Sequence, residues 1–180
     1  MGMNEKFENL AELDAGEFQH LDGSLIDHLK GTKDILERWG ASISLQDAGL
    51  YHAAYGTAGF SQRLVSTDQR EKVVDIIGGA AEDIVYQYCA SDRETFFSRI
   101  GRDLCPIFPN RFTGESYVLS ERMLRDFCEL TAANEIEIAI DNPEFLGKYG
   151  AELKDLFIQM APYLSRVAQQ HTSEVFGLCN

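Results

Sequence analysis

The chain has 180 residues, is 44% hydrophobic and 25% charged, and carries a formal net charge of −13. That is the size and composition of one globular domain with apolar material for one substantial core. The acidic charge repels phosphate backbones and argues against nucleic-acid binding as the main role, and no apolar run is long enough to span a membrane.

A small anionic ligand stays compatible with this charge if it meets a locally basic pocket. Met1–Asp14 is acidic and lacks a basic start followed by an apolar run, so no secretory signal is expected. Cys89, Cys105, Cys128 and Cys179 are scattered and form no CxxC pair. This argues against a disulfide framework or a zinc ribbon and points to a reducing, cytoplasmic setting. A single chain and a homodimer both agree with the sequence.

Taken in chain order, Met1–Asp14 reads as a short helix or frayed arm. Ser24 is a candidate N-cap with Asp27 three residues on. Leu25, His28, Thr32, Ile35, Leu36 and Trp39 then recur at helical spacing until Gly40. A second helix opens at Ile43 or Ser44 and runs through Leu45, Ala48, Gly49, His52 and Tyr55 to Gly56. After a loop (57–66), Thr67 or Asp68 caps a third helix with Val73, Val74, Ile76 and Ile77 inward, broken by Gly78-Gly79. Ala80–Ala90 is a fourth helix and Asp92–Gly101 a fifth. Prolines and alternating bulky residues in Cys105–Tyr117 predict a loop or small hairpin, near 108–118. Ser120–Ile140 is a long helix, and Gly150–Gln170 another, separated by Asp141-Asn142-Pro143. The class is all-α, one domain over 1–180, with a core at 20–100 and a C-terminal helical extension at 119–172.

Among the four histidines, His28 and His52 lie in apolar stripes of consecutive helices. Two short helices joined by a tight turn pack antiparallel. At a rise of ~1.5 Å per residue the two imidazoles reach similar depth, so they can meet one ion. Each alone reads equally as a satisfied core histidine. Asp92 is the third candidate ligand, with an N-cap for the next helix as its plain alternative. Two imidazoles and a carboxylate suit Fe, Mn or Zn better than Ca or Mg. His20, just before the first helix, is a fourth ligand, a general base, or an exposed turn residue.

Three segments carry a family resemblance: His28-Leu29-Lys30-Gly31-Thr32, then Asp47-Ala48-Gly49-Leu50-Tyr51-His52-Ala53-Ala54-Tyr55-Gly56-Thr57, then Ala90-Ser91-Asp92-Arg93. In order and spacing they resemble the HD-domain superfamily, most of all guanosine tetraphosphate hydrolases of the RelA/SpoT type. Ser24-Leu25-Ile26-Asp27-His28 is also similar to the superfamily's iron oxygenases that cleave phosphonates. The chain further resembles a small family with S-L-x-D-H-L-x-G-T and A-G-L-[FY]-H-x-x-Y-G-T motifs. The superfamily resemblance spans roughly 20–100. It implies an HD-like helical bundle and a metal held by His28, His52 and Asp92, and His20 is the residue that could replace the family's missing fourth ligand. It departs at three places: Ala53 replaces the Asp of the His-Asp doublet, Tyr55-Gly56 replaces a catalytic Glu-Asp pair, and Phe96 falls where an Asn is usual. Losing the doublet Asp favours one divalent ion over two.

Arg93 then supports the ligand network or forms a surface ion pair, and Tyr55 offers a phenolic hydrogen bond where relatives place carboxylates. Lys30 and Lys33 meet a phosphate or form a solvated face. Asn134 and Glu135 complete the pocket wall, pair with Arg111 or Arg122 in the case of Glu135, or form one edge of an amphipathic helix. Glu137 faces water. The resulting expectation is a metal-dependent enzyme acting on a small, anionic metabolite by hydrolysis of a phosphoester or related bond. The alternatives are an iron-dependent oxygenase or lyase, a non-catalytic HD domain binding a small molecule or protein, and a metal-free enzyme using His20, His28 or His52 as acid/base groups.

Overall fold

The computed structural model describes residues 23–59 and 63–177. The arm Met1–Asp14, His20 and Cys179 lie outside the described residues. Within them the chain forms eight α-helices: α1 (Gly23–Arg38), α2 (Ile43–Tyr51), α3 (Arg70–Ile77), α4 (Gly79–Ala90), α5 (Arg93–Phe97), α6 (Glu121–Ala139), α7 (Pro143–Met160) and α8 (Arg166–Phe176). One small antiparallel hairpin, β1 (Ile107–Pro109) and β2 (Ser116–Val118), joins α5 to α6. The chain is therefore mostly helical, as the apolar spacing predicts. No described helix is long and apolar enough to cross a membrane.

The helix α1 packs mainly on α2 and α6, and α2 also covers α4. Apolar residues at helical spacing make one buried stripe on α1, Leu29, Ile35 and Leu36, continued by Trp39 just past its end. Gly49 sets the closeness of α1 and α2, since a Cβ there would stand 2.7 Å from Leu36 Cδ1. Beyond α2 the core is aromatic. Phe96 of α5 and Phe108 of β1 have ring centroids 5.0 Å apart, and Phe127 of α6 lies 5.3 Å from Phe96. All three rings are buried. Edge-to-face pairs of this kind add about 0.5–1.5 kcal/mol each beyond the area they bury.

Several expected boundaries differ, among them that of the fifth helix, which ends at Phe97 and not at Gly101. The second helix ends at Tyr51, not near Tyr55, and His52 is its C-cap. Tight turns follow, with Ala54 N donating to Tyr51 O at 2.8 Å and Gly56 N to Ala53 O at 2.9 Å. The single helix expected over Gly150–Gln170 is instead two. Asn142 caps α7 by accepting Phe145 N at 3.0 Å, with Pro143 in the first turn, where a missing N–H costs nothing. Pro162 falls in the short 3-10 turn Ala161–Tyr163 that follows α7. Ser165 then caps α8 by accepting Ala168 N at 3.2 Å. The third helix begins at Arg70, after a 3-10 turn capped by Ser66. Of its four expected inward residues Val73 and Ile77 are buried, while Val74 and Ile76 are half-buried.

Candidate functional site

The open ends of α1, α2, α5, α6 and α7 leave a cavity of about 440 Å³. His28, His52, Arg93, Asn134 and Glu135 line it together with the hydroxyl-bearing Thr57 and Tyr149. His28 sits near the start of α1 and His52 at the end of α2, so the antiparallel turn brings them level. Their Nε2 atoms are 3.2 Å apart, with the rings edge to face at 82°. Asn134 of α6 points its Oδ1 at the same spot, 3.1 Å from His28 Nε2.

The tautomers follow from the groups behind each ring. His52 Nδ1 lies 2.7 Å from Gly49 O. A carbonyl only accepts, so Nδ1 carries the proton. His28 Nδ1–H donates to the carboxylate of Glu137. The Asn134 amide is oriented likewise, because its Nδ2 donates to Glu135 Oε1 at 3.0 Å. The outward donors are thus used up, and three acceptor atoms converge: two imidazole nitrogens and one amide oxygen. Three lone pairs at this separation repel unless a positive charge stands among them. A proton shared from His28 Nε2 or a bound cation would each relieve the repulsion. The ring-behind-ring arrangement, imidazole N–H to carboxylate or carbonyl, is the one that orients metal-binding histidines.

The environment keeps His52 neutral. Its pKa is pushed down to about 3, first by burial and then by the neighbouring His28 imidazole. Its own backbone is pinned, since Cys89 Sγ donates to His52 O at 3.1 Å. The Glu135 carboxyl is pushed up, chiefly by burial, with the Arg93 charge opposing. The Arg93 guanidinium lies 4.4 Å from the centre of the Tyr88 ring. Its Nε is buried and has no hydrogen-bond partner among the described residues. An orphaned cationic donor in a cavity wall is a natural anchor for an anionic group.

Several expected site residues are placed elsewhere. Asp92 takes its plain alternative: Oδ1 accepts Thr95 N at 3.2 Å and Oδ2 accepts Thr95 Oγ1 at 3.1 Å, which caps α5. Tyr55 is buried away from the cavity and donates to Glu82 Oε1 at 2.8 Å. Lys33 pairs with Glu37 one turn on, at 2.9 Å, and neither Lys33 nor the exposed Lys30 lines the cavity. Arg111 donates to Cys89 O and Gly56 O, and Arg122 pairs with Asp126, so neither partners Glu135. Glu137, expected to face water, instead supports His28. Helical spacing carried that signal, since residues 134 and 137, three apart, lie on one side of α6. Among the described residues no group of three or more His, Cys, Asp and Glu side chains is placed to hold a metal. The convergent set is two histidines and an amide.

A family model described as a domain of unknown function (DUF6817) matches residues 9–93. That stretch holds His28, His52 and Arg93 but not the α6 residues of the site. No curated protein and no solved structure matches the chain.

Proposed function

We propose that this chain is an HD-superfamily enzyme that uses one divalent ion, Fe, Mn or Zn, to act on a small anionic metabolite, hydrolysing a phosphoester or related bond. The observation that supports it is the convergence of His28 Nε2, His52 Nε2 and Asn134 Oδ1 with their donors turned outward. These three atoms would hold the ion, and the open cavity leaves further positions for water and substrate. When bound, such an ion polarises a phosphoryl oxygen and lowers the pKa of its water to about 7. The rest falls to the chain. Gly49 O and Glu137 fix the two rings. Arg93 Nε donates to a substrate oxygen. Glu135, whose carboxyl burial favours in its protonated form, gives a proton to the leaving oxygen. Asp92, occupied as a cap, takes no part, and Ala53 in place of the doublet Asp favours one ion.

The test is elemental analysis of untagged protein beside a His28→Ala/His52→Ala variant. One equivalent of Fe, Mn or Zn in the parent and none in the variant is expected. No bound metal, even after incubation with each ion in turn, overturns the reading. A non-catalytic anion-binding module would then remain, with a proton on His28 Nε2 and Glu137 as its counter-ion. The His28–Glu137 pairing supports that second reading.

A further inference from the structure

A second cavity, of about 460 Å³, lies between α5 and α7. It shares Glu135, Phe145 and Tyr149 with the histidine cavity, so the two adjoin along one wall. Its chemistry is different. Phe97, Leu153 and Leu156 join the Phe145 and Tyr149 rings, which stand 5.1 Å apart, in an apolar lining. Its charged residues are Glu135, Glu152 and Asp155 against the single cation Arg102. A second anionic group is therefore disfavoured there, whereas the unpartnered Arg93 guanidinium favours one in the first cavity. Gln159 Oε1 is buried at this site and has no hydrogen-bond partner among the described residues.

We propose that the ligand of this site is an amphiphile, with one anionic head in the histidine cavity and an uncharged apolar tail in the α5–α7 cavity. The tail meets Gln159 Oε1 with one O–H or N–H donor where it has one. The anionic head rests on the proposed function; the tail rests on the second cavity alone. Both cavities have the volume usual for small-molecule sites, and a head-and-tail ligand is what joins a cavity anchored by Arg93 to an apolar one with acidic surroundings.

The probes are ethyl, butyl, hexyl and octyl phosphate and the corresponding carboxylates, titrated calorimetrically into the full chain. Affinity is expected to rise about fourfold per added methylene, as for an alkyl chain leaving water. Leu153→Trp, which narrows the cavity from a half-buried position, should flatten that dependence and leave ethyl phosphate unchanged. Arg93→Met should weaken every chain length by the same factor and keep the slope. Equal affinity for ethyl and octyl probes, or no binding of any, overturns the inference. A chain-length slope in protein that binds no metal would uphold the tail cavity while the metalloenzyme reading fails.

Discussion

Gly31 and Glu137 stand so close that a Cβ on Gly31 would lie 2.8 Å from Glu137 Cγ and 2.9 Å from its Oε1. A glycine inside a helix costs about 1 kcal/mol relative to alanine, and Gly31 lies well inside α1. What it provides is a path for the Glu137 side chain across α1 to His28 Nδ1. Gly31→Ala should therefore move Glu137 away and free the His28 ring. Imidazole nitrogen NMR should show the His28 tautomer becoming mixed while that of His52, held by Gly49 O, stays fixed. Affinity for the ion should fall at least about tenfold, the usual effect of losing such a support. A variant that is simply more stable, with both ring signals unchanged, would show that Glu137 does not set His28.

Asp92 separates capping from ligation. Asp92→Ala should destabilise by about 1 kcal/mol in urea unfolding, and Asp92→Asn much less, since an asparagine oxygen caps equally well. Metal content should be the same in both variants. Loss of metal in Asp92→Asn would return Asp92 to the ligand set.

Glu82 is 1% exposed and is held by Arg70 Nε at 2.7 Å, Arg70 Nη2 at 2.6 Å and Tyr55 Oη at 2.8 Å. Arg70→Met leaves that carboxylate buried with one donor. It should cost about 3 kcal/mol, read from the urea midpoint. Adding Glu82→Gln should recover part of the loss, because no charge is then stranded. Equal stability of the single and double variants would argue that water already satisfies Glu82.

The only tryptophan of the chain, Trp39, donates Nε1–H to His171 Nδ1 at 3.2 Å. The His171 pKa is pushed below its ordinary 6.5, first by burial and then by the Arg38 charge. The unfolded chain therefore binds a proton that the folded chain does not, starting near pH 6.5 and continuing down to the lower folded pKa. Through this group stability is full above that window and falls as the pH drops through it. Trp39 fluorescence should titrate with a midpoint below 6.5, because a protonated Nδ1 can no longer accept the indole N–H. His171→Gln should abolish the transition. A midpoint at or above 6.5 would contradict the burial of this pair.

Cys89 and Cys128 are buried and Cys105 is exposed. Burial raises both interior thiols, Cys89 to about 12, so neither forms thiolate at neutral pH. In a Cys179→Ser background, one thiol should react rapidly with a disulfide reagent under native conditions, and Cys105→Ser should remove it. Rapid reaction of more than one would indicate local opening around α4 or α6.

The pairing of His28 with His52 was legible in the sequence, because it depends on local quantities. Apolar spacing placed each histidine on a helix, and Gly40 ended the first helix so near the start of the second, at Ile43 or Ser44, that the two are forced back on each other. The all-α class, the hairpin near Phe108 and the long helix through Asn134 follow from the same periodicities and turn residues. The helix break at Pro162 was missed, because apolar spacing on both sides carried the expected helix Gly150–Gln170 straight through the proline.

What the sequence could not rank is how polar side chains are shared out among partners distant in the chain. Asp92 and Tyr55 look like site residues as a string of letters. Asp92 is claimed by Thr95, three residues on, through the cap that the sequence offered as its alternative, whereas only packing brings Glu82 within reach of Tyr55. Glu137 looks like surface charge until α6 is laid against Gly31 and its carboxylate meets an imbalance of protons at His28. Periodicity fixes which side of a helix a residue occupies, and that is settled within a few turns of chain. Asn134 and Glu137, the α6 partners of His28, lie more than a hundred residues away from it in the chain, and only the tertiary structure brings them to it.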